Sequence, residues 1–333
     1  MFGNPTPLQY LALAATMGLA LFLPHVLSIY HLYVGNILMM YAVLALGLSV
    51  LIGWCGQFAF AHIAFFGIGA YGTSLLDISL GLPFVIGMPV AALFAGALGL
   101  LIGFPSTRLR SVYLALATFA FAECAQWAFR TWDGVTGGAD GLRLPPAEIF
   151  GISVTNDATA FPITAAIMLI MILATISLTR SRLGRSFTAI RDSEHVAAAC
   201  GIPVNRTKVI AFAVSAVYAG VAGGMFSLLQ NFFTPDSFGV NQLVIVLTMC
   251  VVGGAGSIVG VILGVLLMGL LPEVLRAFPA NLLVWQEFLY GFILVLSVMF
   301  MPAGIWGLLR PRLKRLTGGR PASAANAEKG VAG

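Results

Sequence analysis

Long apolar stretches separated by short polar ones run along almost the whole chain. Most have about the 20 residues that a helix needs to cross a bilayer. They do not show the period-two alternation of membrane barrel strands. The pattern predicts an all-α polytopic membrane protein with about ten transmembrane segments. The apolar stretches cover residues 9–30, 32–53, 56–76, 84–104, 111–130, 161–179, 209–230, 241–271 and 285–306.

The stretch 241–271 does not fit a single membrane span. It is too long for one straight helix and too short for two full spans. Gly253, Gly254 and Gly256 interrupt it. We interpret it as a broken or re-entrant segment, either two short spans or a hairpin that turns at these glycines. Non-helical backbone at membrane depth is tolerated where protein or a water-filled cavity covers it.

Composition and charge support a membrane protein and give its orientation. Only 9% of the 333 residues are charged, against about 25% in soluble domains. Most Lys and Arg residues fall in three loops, at 108–110, 180–208 and 310–329. Because basic loops remain in the cytoplasm, both termini are predicted to be cytoplasmic.

This orientation divides the chain into regions. Residues 1–316 are predicted to form one transmembrane domain, with a cytoplasmic loop at 180–208 and an outer loop at 131–160. Residues 317–333 are small and polar, and are predicted to be a disordered cytoplasmic tail.

Several polar side chains fall inside or at the ends of the apolar stretches, where they are costly and often functional. Glu123 suggests a proton relay or a cation site, or else a protonated or paired carboxyl at a helix break. His62 suggests a metal ligand or a hydrogen-bonded core histidine, and no second ligand lies at helical spacing. The candidates for a translocation pathway are Gln57, His62, Thr118, Glu123, Gln230 and Asn241.

The stretch AIRDSEHVAAACG, residues 189–201, is too polar for lipid and too short for a domain. Asp192 or Ser193 can cap a helix that Gly201 ends, which predicts a helix at 193–200 after an amphipathic piece at 183–191. A helix of two turns is marginal in water and needs a surface to lie on. That surface is either a partner protein or the membrane.

No sequence motif for catalysis or metal binding is present. The chain has no G-x-x-x-x-G-K-[ST] loop and no usable nucleophile–base arrangement. Its four cysteines, Cys55, Cys124, Cys200 and Cys250, have no metal-ligand spacing. The sequence therefore predicts no catalytic residue, metal, bound cofactor or nucleic-acid partner for this chain. If ATP drives it, another chain performs the hydrolysis.

Several motifs together resemble the permeases of ABC importers of the branched-chain amino-acid type. They are GLSVLIGWCGQFAFAHIAFFGIGAYGTSLL, LATFAFAE, TGGADGL, SRLGRSFTAIRDSEHVAAACGIPVNRTK and VVGGAGSIVG, in this order between Gly47 and Leu275. The region around His62 and the AIRD-SE loop resemble the M-type subunit of that family rather than its H-type partner.

The resemblance implies a bacterial inner-membrane permease that pairs with an H-type permease. Two ATPase subunits, which bind ATP and Mg²⁺, would lie below the pair and a periplasmic solute-binding protein outside it. Loop 183–201 would be the coupling helix that contacts an ATPase. The residues assigned to that contact are Arg185, Arg191, Asp192, Glu194, Val196, Ala198 and Gly201.

The cargo implied by the resemblance is a branched-chain amino acid or a similar small solute. The family also carries urea and aromatic or short carboxylate solutes, so the exact solute stays open. The alternatives from another class are an ion-coupled secondary transporter that uses Glu123, or a membrane scaffold without a transport role.

Overall fold

The fold is an all-α membrane bundle, seen here in a computed structural model that describes residues 28–106, 109, 111–149, 152–276, 285–301 and 304–307. Within these ranges, nine helices are long and apolar enough to cross a membrane. The helices are α1 (Ile29–Ser49), α2 (His62–Leu80), α3 (Phe84–Ser106), α4 (Ser111–Thr131), α5 (Asp133–Thr136), α6 (Asp157–Arg180), α7 (Arg182–Asp192), α8 (Glu194–Ala199), α9 (Val204–Leu229), α10 (Val240–Gly253), α11 (Ile258–Gly269), α12 (Leu271–Arg276) and α13 (Gln286–Phe300).

The described spans follow the predicted ones, with one helix start displaced. The apolar stretch 56–76 was expected to be helical throughout, but α2 begins only at His62. The predicted first span lies almost entirely outside the described residues. The predicted tail at 317–333 and the basic clusters at 108–110 and 310–329 also lie outside them, apart from Leu109.

The broken segment 241–271 is two helices, α10 and α11, which pack against each other. They are separated at Gly254–Ser257, where Gly254 and Gly256 have φ angles of 110° and 91°. Side chains other than glycine rarely adopt such angles, so these glycines allow the chain to turn. The Ser257 hydroxyl accepts a hydrogen bond from Gly260 N at 3.3 Å and caps α11.

Helix α9 lies at the centre of the bundle and packs closely against α2 and α3. A Cβ atom added to Gly69 would lie 2.3 Å from the backbone oxygen of Gly220, and one added to Gly220 would lie 2.7 Å from Ala92 Cα. Small residues at this crossing let the helix backbones approach, as is common between helices in lipid. The spacing of small residues in α3 and α9 therefore serves packing within the chain.

Helix ends collect on two opposite sides of the bundle. On one side, which we call the acidic side, Asn36 at the start of α1 donates to the Asp157 carbonyl, and Tyr30 donates to Glu273. On the other, which we call the basic side, α7 and α8 lie beside the end of α1 and the α10–α11 turn. The basic loop at 180–208 thus lies at the opposite end of the bundle from the acidic side.

The acidic side also carries the described strands, all of them short. Strand β1 (Leu142–Arg143) pairs antiparallel with β4 (Phe232–Phe233), and β2 (Ala147–Ile149) pairs with β3 (Ile152–Val154). The stretch TGGADGL before β1 is a compact turn, in which Thr136 Oγ1 donates to the Phe129 carbonyl at 2.6 Å. Strand β1 joins this turn to the end of α9.

Candidate functional sites

Helix α7 is amphipathic and lies with its apolar side on the bundle. Gly184, Phe187 and Ile190 are buried along that side, and Phe187 is only 1% exposed. Ser181 caps the helix by accepting a hydrogen bond from Gly184 N at 3.3 Å. The burial of Phe187 and Ile190 against protein shows that α7 is packed on the chain itself.

Helix α8 follows α7 directly and is mostly exposed. Its cap is Ser193, whose hydroxyl accepts a hydrogen bond from Val196 N at 3.4 Å. Only Ala197 is buried among its six residues, while Val196 is 62% exposed. Gly201, with φ of 80°, ends the segment as the sequence predicted. This leaves a narrow exposed surface of Val196, Ala198 and Ala199.

One ion pair fastens α8 to the bundle. Lys208 Nζ in the first turns of α9 lies 2.6 Å from Glu194 Oε1, and the Lys208 side chain is only 11% exposed. Glu194 was assigned to an ATPase contact from the sequence, yet here its carboxylate binds the chain's own lysine. Lys208 lies fourteen positions further along the chain, and no pattern in the sequence links the two residues.

The other charged candidates of this segment also have partners within the chain. Arg185 Nη1 donates to the Arg180 carbonyl at 3.1 Å. Arg191 Nε and Nη2 donate to Asp192 Oδ1 at 3.2 and 3.1 Å. The sequence-predicted coupling residues therefore lie together on the basic side, with their polar groups bonded mainly to their own chain.

Between α1 and α2 the chain loses regular secondary structure. Helix α1 continues as a π-helical turn, Val50–Trp54, a form that is often found at functional sites. In the following residues burial alternates: Cys55, Gln57, Ala59 and Ala61 are buried, while Gly56 and Phe58 are exposed. We call residues 55–61 the break segment. One face of it packs on the bundle and the other faces outward.

Gln57 is the only amide side chain of the break segment, and it is unusual. It is 5% exposed, and neither Oε1 nor Nε2 has a hydrogen-bond partner among the described residues. Leaving a buried polar group unpaired costs about 1–3 kcal/mol. Such a group in a native structure is a candidate for contact with a molecule that the isolated chain lacks.

The break segment ends beside the middle of the bundle. His62, which begins α2, donates through Nε2 to the Leu44 carbonyl at 2.9 Å, and its Nδ1 is hydrogen-bonded to Ser215 Oγ at 2.9 Å. Leu44 precedes the end of the π-helical turn by about 15 Å of helix. The segment therefore runs back along α1 to the level of Leu44 before α2 starts, and His62 is a hydrogen-bonded residue of the core.

Helix α4 places Thr118 beside the break segment and turns Glu123 away. Thr118 Oγ1 accepts a hydrogen bond from Phe60 N at 2.9 Å and donates to the Leu114 carbonyl at 2.8 Å. Leu114, Thr118 and Gln126 are buried along one face of α4. Glu123 lies on the opposite, exposed face, near the exposed Trp127.

The six pathway candidates do not form one cluster. Gln57 and Thr118 lie on neighbouring segments, whereas Gln230 follows α9 and Asn241 begins α10, both on the acidic side. Asn241 Nδ2 donates to Glu287 Oε1 at 2.9 Å. Within the described part of the chain, no three His, Cys, Asp or Glu side chains lie together as a metal site would require.

Comparison with known proteins finds one family whose model matches most of the chain. The family described as "Branched-chain amino acid transport system / permease component" matches residues 30–298. No solved structure matches the chain.

Individual relatives carry related names. The chain is 32% identical to the high-affinity branched-chain amino acid transport system permease protein LivM of Escherichia coli K12, over 93% of the chain and 78% of that protein. It is 25% identical to LivH of the same strain, over 83% and 93%. It is 29% identical to the autoinducer 2 import system permease protein LsrC of Enterobacter sp. 638, over 68% and 66%.

These matches confirm the resemblance that the motifs indicated, including its leaning toward the M-type subunit. The matched proteins are membrane transport components rather than enzymes. The chain belongs to the family of permease components of branched-chain amino acid ABC transport systems.

Proposed function

We propose that the chain is one of two permease subunits of an ATP-driven importer in a bacterial inner membrane. It translocates branched-chain amino acids or similar small solutes that a periplasmic binding protein delivers. The observation that carries this proposal is α8, a short capped helix that is held on the basic side by Ala197 and the Glu194–Lys208 pair while its remaining surface is exposed.

The exposed surface of α8 suits a groove on a partner ATPase. Val196 and the adjacent alanines are narrow and offer little apolar area to lipid, which argues against a membrane-surface helix. Since α7 is packed on the bundle through Phe187 and Ile190, α8 has a rigid base from which to contact a partner. ATP and Mg²⁺ would bind to that partner, because this chain carries no nucleotide motif.

The outward face of the bundle supports pairing with a second permease. Helix α4 leaves Leu116, Trp127 and Glu123 exposed on one side. A carboxylate facing lipid is costly, so this face requires protein or water against it. An H-type permease is a homologous membrane protein that could cover this face, and LivH is a relative of this chain.

The break segment and helix α4 are proposed to line the translocation pathway. Irregular backbone at membrane depth is stable where it lines a water-filled cavity or is covered by protein. Gln57 provides an unpaired amide there, and Phe60 connects the segment to Thr118. Glu123 lies on the opposite, exposed face of α4, whereas His62 contributes by holding the start of α2.

The proposed topology places both termini and the basic side in the cytoplasm, with TGGADGL and β1–β4 facing the binding protein. The excess of arginine and lysine in 180–208 supports this orientation. An ion-coupled transporter that relies on Glu123 is the rival function, and family membership favours the ABC importer.

The test is reconstitution of the chain with its H-type, ATPase and binding-protein partners in proteoliposomes. We expect leucine or a related solute to enter only with ATP inside and binding protein outside, and uptake to persist with an uncoupler. Uptake that stops with the uncoupler but survives ATP depletion would refute the proposal.

A variant pair tests the docking surface itself. Ala198→Trp adds bulk to the exposed side of α8 and should release the ATPase subunits during purification, while the permease still inserts. Ala139→Trp makes the same change at an exposed position on the acidic side and should leave ATPase binding unchanged.

A further inference from the structure

Arg191 reaches from the end of α7 into the bundle. Its Nη1 donates a hydrogen bond of 3.0 Å to the backbone oxygen of Gly53, in the π-helical turn that ends α1. Its aliphatic part lies against Gly56, where an added Cβ would be 2.9 Å from Arg191 Cγ. The side chain therefore contacts both the end of α1 and the start of the break segment.

The same arginine lies beside the turn between α10 and α11. A Cβ on Gly256 would be 3.5 Å from Arg191 Nη1. The Gly53 and Gly256 backbones are themselves in close contact, and Gly256 N donates to Ser49 Oγ at 3.1 Å. Arg191 thus lies where two interrupted membrane elements meet.

The guanidinium is oriented by its neighbour in sequence. Asp192 Oδ1 accepts from Nε and Nη2, which leaves Nη1 directed at Gly53. The planar guanidinium has several donors in fixed directions, so it can bond the Asp192 carboxylate and the Gly53 carbonyl at the same time. A lysine ammonium does not have this arrangement of donors. The geometry explains why an arginine, rather than any basic residue, suits the position.

Apolar packing adds a second link from α7 to the break segment. Phe187 packs in one buried cluster with Leu51, Cys55 and Ala59. Arg191 and Phe187 lie one turn apart on α7, so both contact the region 50–59 from the same helix. A displacement of α7 would act on that region through a charged contact and an apolar one.

We propose that Arg191 is a positioning residue that transmits movement of α7 and α8 to the break segment and to the α10–α11 turn. The inference rests on the proposed function, in which α8 docks on an ATPase. In this arrangement Arg191 does not bind the ATPase; it links the docked segment to the part of the bundle that carries Gln57.

The experiment uses the complete reconstituted transporter with Arg191→Met, which keeps length but removes the charge and the donors. We expect the ATPase subunits to co-purify and hydrolyse ATP, while solute transported per ATP falls about three- to tenfold, as for loss of a coupling contact. Arg191→Lys should recover part of that ratio, because one donor can still reach the Gly53 oxygen. Arg182→Met removes the same charge from an exposed position of α7 and should leave the ratio unchanged.

A second variant covers the case in which Arg191→Met fails to assemble. Gly56→Ala keeps the arginine but places a methyl group against Arg191 Cγ, and should lower the same ratio. An unchanged ratio in the assembled Arg191 and Gly56 variants would overturn the inference. Loss of ATPase subunits from an otherwise stable Arg191→Met permease would also overturn it, since Arg191 would then be a docking contact.

Failure of the underlying function would look different. If the wild-type complex shows no ATP-dependent uptake, the importer itself is wrong, whatever Arg191 does. If the wild type shows ATP-dependent uptake and the variants transport as much solute per ATP as the wild type, then only the proposed role of Arg191 is wrong.

Discussion

The ammonium group of Lys208 lies 2.6 Å from the Glu194 carboxylate, so the start of α9 holds the start of α8. The lysine is nearly buried, while the glutamate is about half exposed. The pair joins the proposed docking helix directly to the central helix of the bundle. Glu194 therefore stabilises the position of α8 on its own chain.

Reversing one charge of this pair should detach α8. In Glu194→Lys two positive groups face each other, and the nearly buried Lys208 loses its partner, which is the costly way to break such a pair. We expect ATP-driven uptake to fall several-fold although the permease still inserts. The double swap Glu194→Lys with Lys208→Glu should restore much of the uptake; failure of the swap to do so would show that Glu194 acts on a partner protein.

Replacing Gln57 with leucine should separate stability from function. The substitution removes a buried amide that has no partner in the described chain, so the isolated permease should keep or gain stability, by up to about 1–3 kcal/mol. Uptake by the full transporter should fall, because the break segment loses its polar side chain.

Asn36→Leu is the matched control for that experiment. The Asn36 amide donates to the Asp157 carbonyl and accepts from Thr164 Oγ1 at 2.7 Å, so its loss should lower the thermal unfolding midpoint in detergent. If Gln57→Leu destabilises the isolated chain as much as Asn36→Leu, then Gln57 is a structural residue.

The crossing of α2 and α9 should tolerate no added methyl group. In Gly69→Ala the new Cβ would lie 2.3 Å from the Gly220 oxygen, and separating the helices should cost about 1–3 kcal/mol. Gly291→Ala, in α13, meets nothing within 4 Å and should be neutral or stabilising. Thermal unfolding of both purified variants checks this; equal midpoints would contradict the close packing.

Native cysteines allow a test of orientation. Cys55 and Cys250 are buried, whereas Cys124 and Cys200 are exposed. In a Cys124→Ala chain, a membrane-impermeant maleimide should therefore label Cys200 only when it reaches the cytoplasmic side, as in inverted vesicles. Bound ATPase subunits should slow this labelling, because Cys200 ends α8. Labelling from the periplasmic side of intact cells would reverse the proposed topology.

Hydropathy was sufficient to locate most of the membrane helices. Apolar stretches of span length predicted the described spans, and glycines marked the turn between α10 and α11. The caps Ser193 and Gly201 predicted α8 because capping is a local property of the chain.

Contacts between distant segments could not be predicted in this way. The break segment is as apolar as a helix, so its composition gave no sign that α2 starts at His62. Arg191 lies in a loop with many arginines, and nothing in the sequence marks it as the one whose side chain reaches Gly53. Likewise, the close contact of the Gly53 and Gly256 backbones joins segments about 200 residues apart.

The sparse anchoring of α8 has a consequence for how such transporters diversify. Within the described residues, the contacts that hold this helix are the Ser193 cap, the buried Ala197 and the Glu194–Lys208 pair. The remaining positions of this helix are free to change without disturbing the bundle. In the proposed docking arrangement, exchanging a few residues there would be enough to direct the permease to a different ATPase subunit while its solute pathway stays unchanged.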